Sequence, residues 1–210
     1  MGIRSLIFAA TYDRFIAKTE REGLAAHRAG LLVGATGRVL EIGGGTGANL
    51  AHYGPAVENL TLTEPEPAML KRLRRRAGEL TPTPTVLRAP AEDLPFDDAS
   101  FDTVVSTLTL CSVDDQHRAV SELRRVLRPG GRLLFVEHLR ADDERVGRMQ
   151  DRMNWLNRLV VCCDCNRPTL DTLRAAGFVI GQVVRTELPG APPFARPLAV
   201  GRAVTVDGVS

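Results

Sequence analysis

Nowhere in the 210 residues does an apolar stretch reach the roughly 18 needed to span a bilayer, so no integral membrane segment is expected. The opening residues 1–15 (MGIRSLIFAATYDRF) have an apolar run only from Leu6 to Ala10, with charged residues following at once. That is too short for a signal peptide, and Leu6 stands where myristoylation needs Ser or Thr. Cysteine is scarce: Cys111 stands alone and Cys162, Cys163 and Cys165 form one cluster. Without a secretory context these are free thiols rather than disulfides. The CCDC spacing lacks the C-x2-C pairs of zinc sites and no histidine lies beside it in sequence, so no metal site is expected. Neither sign of charge dominates. The formal net charge is +2, which leaves no electrostatic footprint for nucleic acid. The local run Lys71, Arg72, Arg74, Arg75 and Arg76 is a solvated helix face, with contact to an anionic surface as the alternative. No linker, repeat or low-complexity tract interrupts the chain. What remains is one cytoplasmic domain, 44% hydrophobic and 25% charged, long enough for a substantial core.

Strand-like runs alternate with helix-like segments, the signature of an α/β sheet covered on both faces. Strands are expected at 38–42, 60–64, 85–88, 101–106, 132–138, 178–185 and 198–206. Helices are expected at 47–53, 67–80, 115–127, 142–161 and 169–176, after an amphipathic helical segment at 5–29. Pro67 suits a helical first turn, and Asp114 or Asp115 can cap the third helix. Leu127-Arg128-Pro129-Gly130-Gly131 ends that helix and launches the next strand. The segments divide as an N-terminal helical lid (1–37), a cofactor-binding half (38–138) and acceptor-side helices with the last two strands (139–210).

The most informative stretch is Val39–Asn49, VLEIGGGTGAN, where a buried strand ends in glycines at 43, 45 and 47. Glycine tolerates positive φ and has no Cβ, so main-chain N–H groups can line a ligand pocket here. Gly43, Gly45 and Ala48 literally satisfy the dinucleotide pattern G-x-G-x-x-A, which alone does not distinguish among nucleotide cofactors. Glu41, two residues ahead of the first glycine, opposes a pyrophosphate and suits a cationic guest. S-adenosylmethionine (SAM), with an ammonium and a sulfonium, is such a guest. Glu64 ends the next strand and can accept both hydroxyls of an adenosine ribose, which SAM and NAD each carry. A nicotinamide-dependent oxidoreductase is therefore the more distant alternative, disfavoured by Glu41 and by the lack of a Tyr-x-x-x-Lys pair.

Together EIGGGTG (41–47), AEDLPFDDASFD (91–102) and VLRPGGRL (126–133) resemble the class I SAM-dependent methyltransferases of the small-molecule branch. The resemblance implies a Rossmann-like, mostly parallel seven-stranded sheet with an antiparallel last strand and helices on both faces. It implies that Glu41, Gly43, Gly45, Gly47 and, at the loop's end, Asn49 hold the methionine part of SAM. Glu64 would hold the ribose, Pro65 and Met69 would flank the adenine, and Ala91 and Glu92 would meet its polar edge. Thr107 and Leu108 would lie near the methyl group, and Tyr12, on the segment that closes over SAM, would be a further contact. Glu64 replaces the Asp common at the ribose position, which sets the strand end slightly further back.

A tighter resemblance covers the acceptor side. Residues 106–113 (STLTLCSV), Glu137-His138, Trp155, DCNRPT (164–169) and Ala176-Gly177-Phe178 are similar to the methyltransferase-like thiol S-methyltransferases. This implies a small-molecule thiol acceptor, with phospholipid N-methylation and quinone C-methylation as alternatives that share much of the pattern. Members of that family begin with a membrane-anchoring apolar helix. No such run occurs here, which leaves at most weak contact with a membrane surface. His138, at the C-terminal end of the fifth strand, is the candidate catalytic residue, able to take a proton from the acceptor or to orient it; capping the strand is its structural alternative. Cys111 is expected to be a packed core thiol. Trp155, Cys165 and Asn166 are each either acceptor-pocket walls or plain packing. His27, His52 and His117 are assigned no role, and oligomeric state has no signature in the chain.

Overall fold

The computed structural model of the chain describes residues 17–205. Seven strands, β1 (Gly37–Ile42), β2 (Val57–Thr63), β3 (Thr85–Leu87), β4 (Phe101–Thr107), β5 (Leu127–His138), β6 (Phe178–Glu187) and β7 (Pro197–Thr205), form one sheet of order β3-β2-β1-β4-β5-β7-β6. The first five pair in parallel, and β7 runs antiparallel to both of its neighbours. All seven expected strands are present, and the Rossmann-like class I architecture is as the motifs imply. The chain direction across the sheet reverses between β1 and β4, and such a reversal opens a crevice at the carboxyl ends of the strands.

Among the described residues five α-helices have both ends in view, set by local chemistry: α1 (Ala25–Leu32), α2 (Pro67–Ala77), α3 (Gln116–Val126), α4 (Glu144–Val161) and α5 (Thr169–Ala175). Pro67 opens α2, and Glu66 accepts the Ala68 N–H ahead of it. Asp115, not Asp114, caps α3 by accepting the Arg118 N–H at 3.0 Å. Asp143 caps α4 in the same way through Arg145 and Val146. Met69, Leu70, Leu73 and Ala77 bury one stripe of α2, which leaves the basic run on its outer side. One member of that run turns back: Arg76 donates to the Thr46 carbonyl of the glycine loop at 2.8 Å.

One expectation needs correction. The helix expected at 47–53 is only a 3-10 turn at Leu50–His52, because Gly47 has φ +90° and cannot enter an α-helix there. Of the N-terminal segment expected as a lid, the described part contributes α1, and this helix covers the sheet, with Leu32 packed among Val39, Val105 and Leu134. Tyr12 and the start of that segment lie outside the described residues. Among the described residues, no helix is long and apolar enough to cross a membrane.

The larger core cluster lies where α3 and α5 pack on the sheet, around Leu40, Val104, Leu123, Leu133, Phe135 and Leu173. Within it Phe135 pairs directly with Gly201 across β5 and β7. A Cβ at Gly201 would lie 2.8 Å from the Phe135 ring and 2.9 Å from Val183 Cγ2. The Gly201→Ala substitution is therefore expected to lower the urea midpoint by an amount equivalent to about 1–3 kcal/mol. Adding Phe135→Leu is expected to recover part of that loss, and a simply additive double variant would show that the two positions do not share the space.

Candidate active site

The crevice is built from the loop after β1 and the loop after β4. Gly43 (φ +57°), Gly45 (φ +57°) and Gly47 (φ +90°) take left-handed backbone conformations. At Gly43 the requirement is doubled, because a Cβ would collide with the Thr109 side chain. Among the described residues a Cβ at Gly45 would meet only the Gly43 carbonyl, at 3.9 Å. Glu64, immediately after β2 and only 6% exposed, closes the lower edge. One of its oxygens accepts the Gly45 N–H at 2.8 Å and the other the Glu66 N–H at 2.9 Å.

Glu41, expected to meet a cationic guest, is not exposed to the crevice mouth. It is buried beneath the loop, with Oε1 accepting from Asn49 Nδ2 at 3.0 Å and Oε2 from the Tyr53 hydroxyl at 2.6 Å. Asn49 also donates to Thr107 Oγ1 at 3.0 Å. Arg28, buried on α1, donates to Asn49 Oδ1 at 2.9 Å and to Thr107 Oγ1 at 2.8 Å, and its Nε pairs with Glu20 at 3.1 Å. Desolvation raises the pKa of Glu41 above the ordinary carboxylate value, and Tyr53, Arg28 and Asn49 pull it back. Desolvation also raises Glu64, opposed by its two backbone N–H bonds. Burial and the neighbouring Glu41 push Tyr53 well up, so its hydroxyl remains a donor.

Three members of this machinery escaped the sequence: Arg28, Tyr53 and Glu137. Glu137, fully buried near the end of β5, accepts the Ser106 hydroxyl at 2.7 Å and the N–H groups of Thr109, Leu110 and Cys111 at 2.9, 3.0 and 3.3 Å. It thereby sets the path of the loop after β4, in which Leu108 takes φ +56°. The available signal was an acid inside an apolar strand, LLFVEH, the same signal that singled out Glu41 in VLEI.

The remaining expected positions divide. Thr107 is buried at the centre of the polar network, and Leu108 follows it at the crevice. Met69 is buried on α2, whereas Pro65 is exposed and offers its carbonyl to Arg88. Ala91 lies in the core beside Ile42 and Leu110. Glu92 accepts the N–H groups of Asp114 and Asp115, holding the entry to α3. Cys111 is a buried thiol as expected. Trp155 is neither pocket wall nor core, being 67% exposed on the outer side of α4. Asn166 donates to Asp151 at 2.9 Å, within the surface pair of Asp151 with Arg140. His138 does end β5, but the residue is only 6% exposed, Nδ1 is buried without a hydrogen-bond partner, and burial pulls its pKa down to about 4. Folding also brings it beside Cys163 and Cys165, far from it in the chain.

A cradle of left-handed glycines, a carboxylate that can accept ribose hydroxyls and a buried acid beneath the loop fit a cationic adenosine ligand. A protein-family model for a methyltransferase domain matches residues 40–135. The chain is 43% identical over 113 residues to thiol S-methyltransferase TMT1B of Homo sapiens, covering 51% of this chain and 46% of that protein. It thus spans about half the length of that relative. Against thiol S-methyltransferase TMT1A of Homo sapiens it is 31% identical over 205 residues, covering 94% of this chain and 82% of that protein. Against phosphatidylethanolamine N-methyltransferase of Cereibacter sphaeroides the identity is 32% over 149 residues, with 67% and 71% covered. Among solved structures, a SAM-dependent methyltransferase from Thermotoga maritima superposes with a TM-score of 0.69 at 26% identity, covering 95% of this chain and 97% of that one. The nicotinamide reading of the glycine pattern is thereby set aside. The chain belongs to the class I SAM-dependent methyltransferases, and SAM is its cofactor.

Proposed function

We propose that the protein transfers the methyl group of SAM to the sulfur of a small-molecule thiol. The observation that carries this reading is the state of His138: a buried ring with a pKa near 4 is a weak base at neutral pH. A thiol, with an ordinary pKa near 8.5, already supplies enough thiolate to attack, whereas an alcohol or a quinol carbon needs a committed base. The similarity to the two thiol S-methyltransferases points the same way. N-methylation of a lipid amine is the second reading, favoured by the similarity to phosphatidylethanolamine N-methyltransferase.

In this reading the glycine loop and Asn49 receive the methionine part of SAM, while Glu64 binds the ribose. Met69 and Pro65 flank the adenine, with Ala91 and Glu92 near its polar edge. Glu41 acts from below the loop, its charge favouring the ammonium and sulfonium while it fixes Asn49. Thr107 and Leu108 border the methyl group. SAM supplies the electrophilic methyl; the protein's part is to align the acceptor in line with it and to exclude water. His138 orients the acceptor indirectly, by fixing the wall it rests against, rather than taking its proton.

Three outcomes are expected. Glu64→Ala removes the ribose contact and abolishes the thermal shift that SAM gives the wild-type protein, while the fold persists by circular dichroism. Glu41 and Glu64 both have pKa values raised above 4.5, and a cation or ribose hydroxyls favour their charged forms. SAM uptake should therefore release protons in the pH window just above 4.5, and affinity should fall as pH drops through it, measured by calorimetry in buffers of differing ionisation enthalpy. The sign for the protein alone is opposite: raised carboxylates contribute stability that is full below the unfolded-state value and lost as pH rises through the folded-state value. Finally, labelled SAM should pass its methyl group to alkyl thiols and not to phosphatidylethanolamine or a quinol, with His138→Ala retaining SAM binding but turning over more slowly. Transfer to the lipid amine alone would reverse the choice of acceptor.

A further inference from the structure

Two of the four cysteines and one histidine bring their ligand atoms together, and methyl transfer as derived above uses neither sulfur. Cys163 and Cys165 lie on the connection from α4 to α5, His138 at the end of β5, and Cys111 on the loop after β4. A ring nitrogen of His138 and the two sulfurs of Cys163 and Cys165 lie within 4.8 Å of one another. The two sulfurs are 3.9 Å apart. Two thiolates about 2.3 Å from one tetrahedral zinc ion stand about 3.8 Å apart, so this pair is already spaced for shared coordination. Cys111 packs in the same buried cluster as Cys163 and Cys165 but lies outside the group of three ligand atoms. All four residues are less than 8% exposed.

Two further observations point into the same space. Nδ1 of His138 is buried with no hydrogen-bond partner, an unusual condition for an imidazole. Asn157 donates through Nδ2 to Cys165 Sγ at 3.0 Å and to the Cys163 carbonyl at 2.7 Å. An amide N–H aimed at sulfur is the kind of outer contact that orients a thiolate and offsets its charge. The cysteine-bearing connection is also held from α4 by Gln150, which donates to the carbonyls of Cys165 and Leu139 at 2.8 and 2.9 Å.

We propose that His138, Cys163 and Cys165 bind one zinc-class divalent cation. Two thiolates and one neutral imidazole are a soft donor set that suits zinc, with the fourth tetrahedral position left to water. Uptake exchanges two thiol protons for the ion: M2+ joins two sulfurs and one nitrogen, two protons leave, and no electron moves. The ion ties together two segments remote in sequence, fastening the α4–α5 connection to the end of β5 on the acceptor side of the crevice. The site rests on the side-chain cluster alone and stands or falls independently of which acceptor is methylated.

The test uses Co2+ as an optical stand-in for Zn2+ on the reduced, metal-stripped protein. The wild type should take up one equivalent with a thiolate-to-cobalt charge-transfer band, and Zn2+ should displace it and raise Tm, because an ion that binds only the folded state stabilises it. Cys163→Ser and Cys165→Ser should lose the band. Cys162→Ser, altering the exposed neighbour, should keep it. Circular dichroism and the thermal shift with SAM report whether each variant is folded, and the wild-type titration stands even if a variant is not. Absence of both band and Tm shift in the wild type overturns the proposal. So does a band that survives both substitutions, or a fully reduced wild-type protein that instead forms a Cys163–Cys165 disulfide on mild oxidation in the presence of excess Zn2+.

Discussion

A carboxylate placed where no water reaches it governs the cofactor side of this protein. Glu41 lies beneath the glycine loop at the point where strand order reverses, and desolvating a charge there is tolerated only because every oxygen is engaged. Tyr53 and Asn49 supply the hydrogen bonds, and Arg28 reaches the same network from a helix on the covering layer. The consequence is geometric as well as electrostatic. Asn49, on the loop after β1, and Thr107, at the end of β4, cannot move apart without breaking bonds to one another and to Arg28. The crevice is thereby held in shape, so that binding energy need not be spent assembling it.

Glu137 applies the same device two strands away. Its carboxylate gathers a hydroxyl and three consecutive backbone N–H groups, which hold the loop after β4 in a turn that Leu108 enters with a left-handed backbone. A loop borne by such contacts is rigid without being part of a helix or strand. The two buried acids thus define the two walls: one fixes the glycine loop from below, the other fixes the loop after β4. Neither needs exposure to act, which separates their positioning role from the ribose-binding role proposed for Glu64.

The strands were legible because each is a short apolar run bounded by turn residues, and the sheet's pairing then follows from few topological options. The glycine loop was legible because alternate glycines have one physical use. What failed depended on information that a linear pattern lacks. The helix expected at 47–53 was lost to a single positive φ at Gly47, and Trp155 turned outward because α4 offers its other face to the fold. Arg28 and Tyr53 could not be found from spacing, since a buried arginine and a buried tyrosine declare themselves only by their partners. The same applies to the cysteines: judged by their intervals along the chain they make no metal motif, yet the fold supplies the histidine from β5.

That juxtaposition changes what His138 can contribute. An imidazole at the end of a strand bordering the crevice suggests proton transfer, but the ring's surroundings are thiols and apolar side chains, and burial holds it neutral. A neutral ring without a hydrogen-bond partner on Nδ1 is poor at drawing protons from an acceptor and well suited to fixing the wall against which an acceptor rests. For an acceptor whose own acidity provides the nucleophile, a fixed apolar wall is the larger need: it keeps sulfur, methyl and sulfonium in line and keeps water from competing for the methyl group. For the thiol acceptor proposed above, the demands of the chemistry and the character of the wall therefore agree.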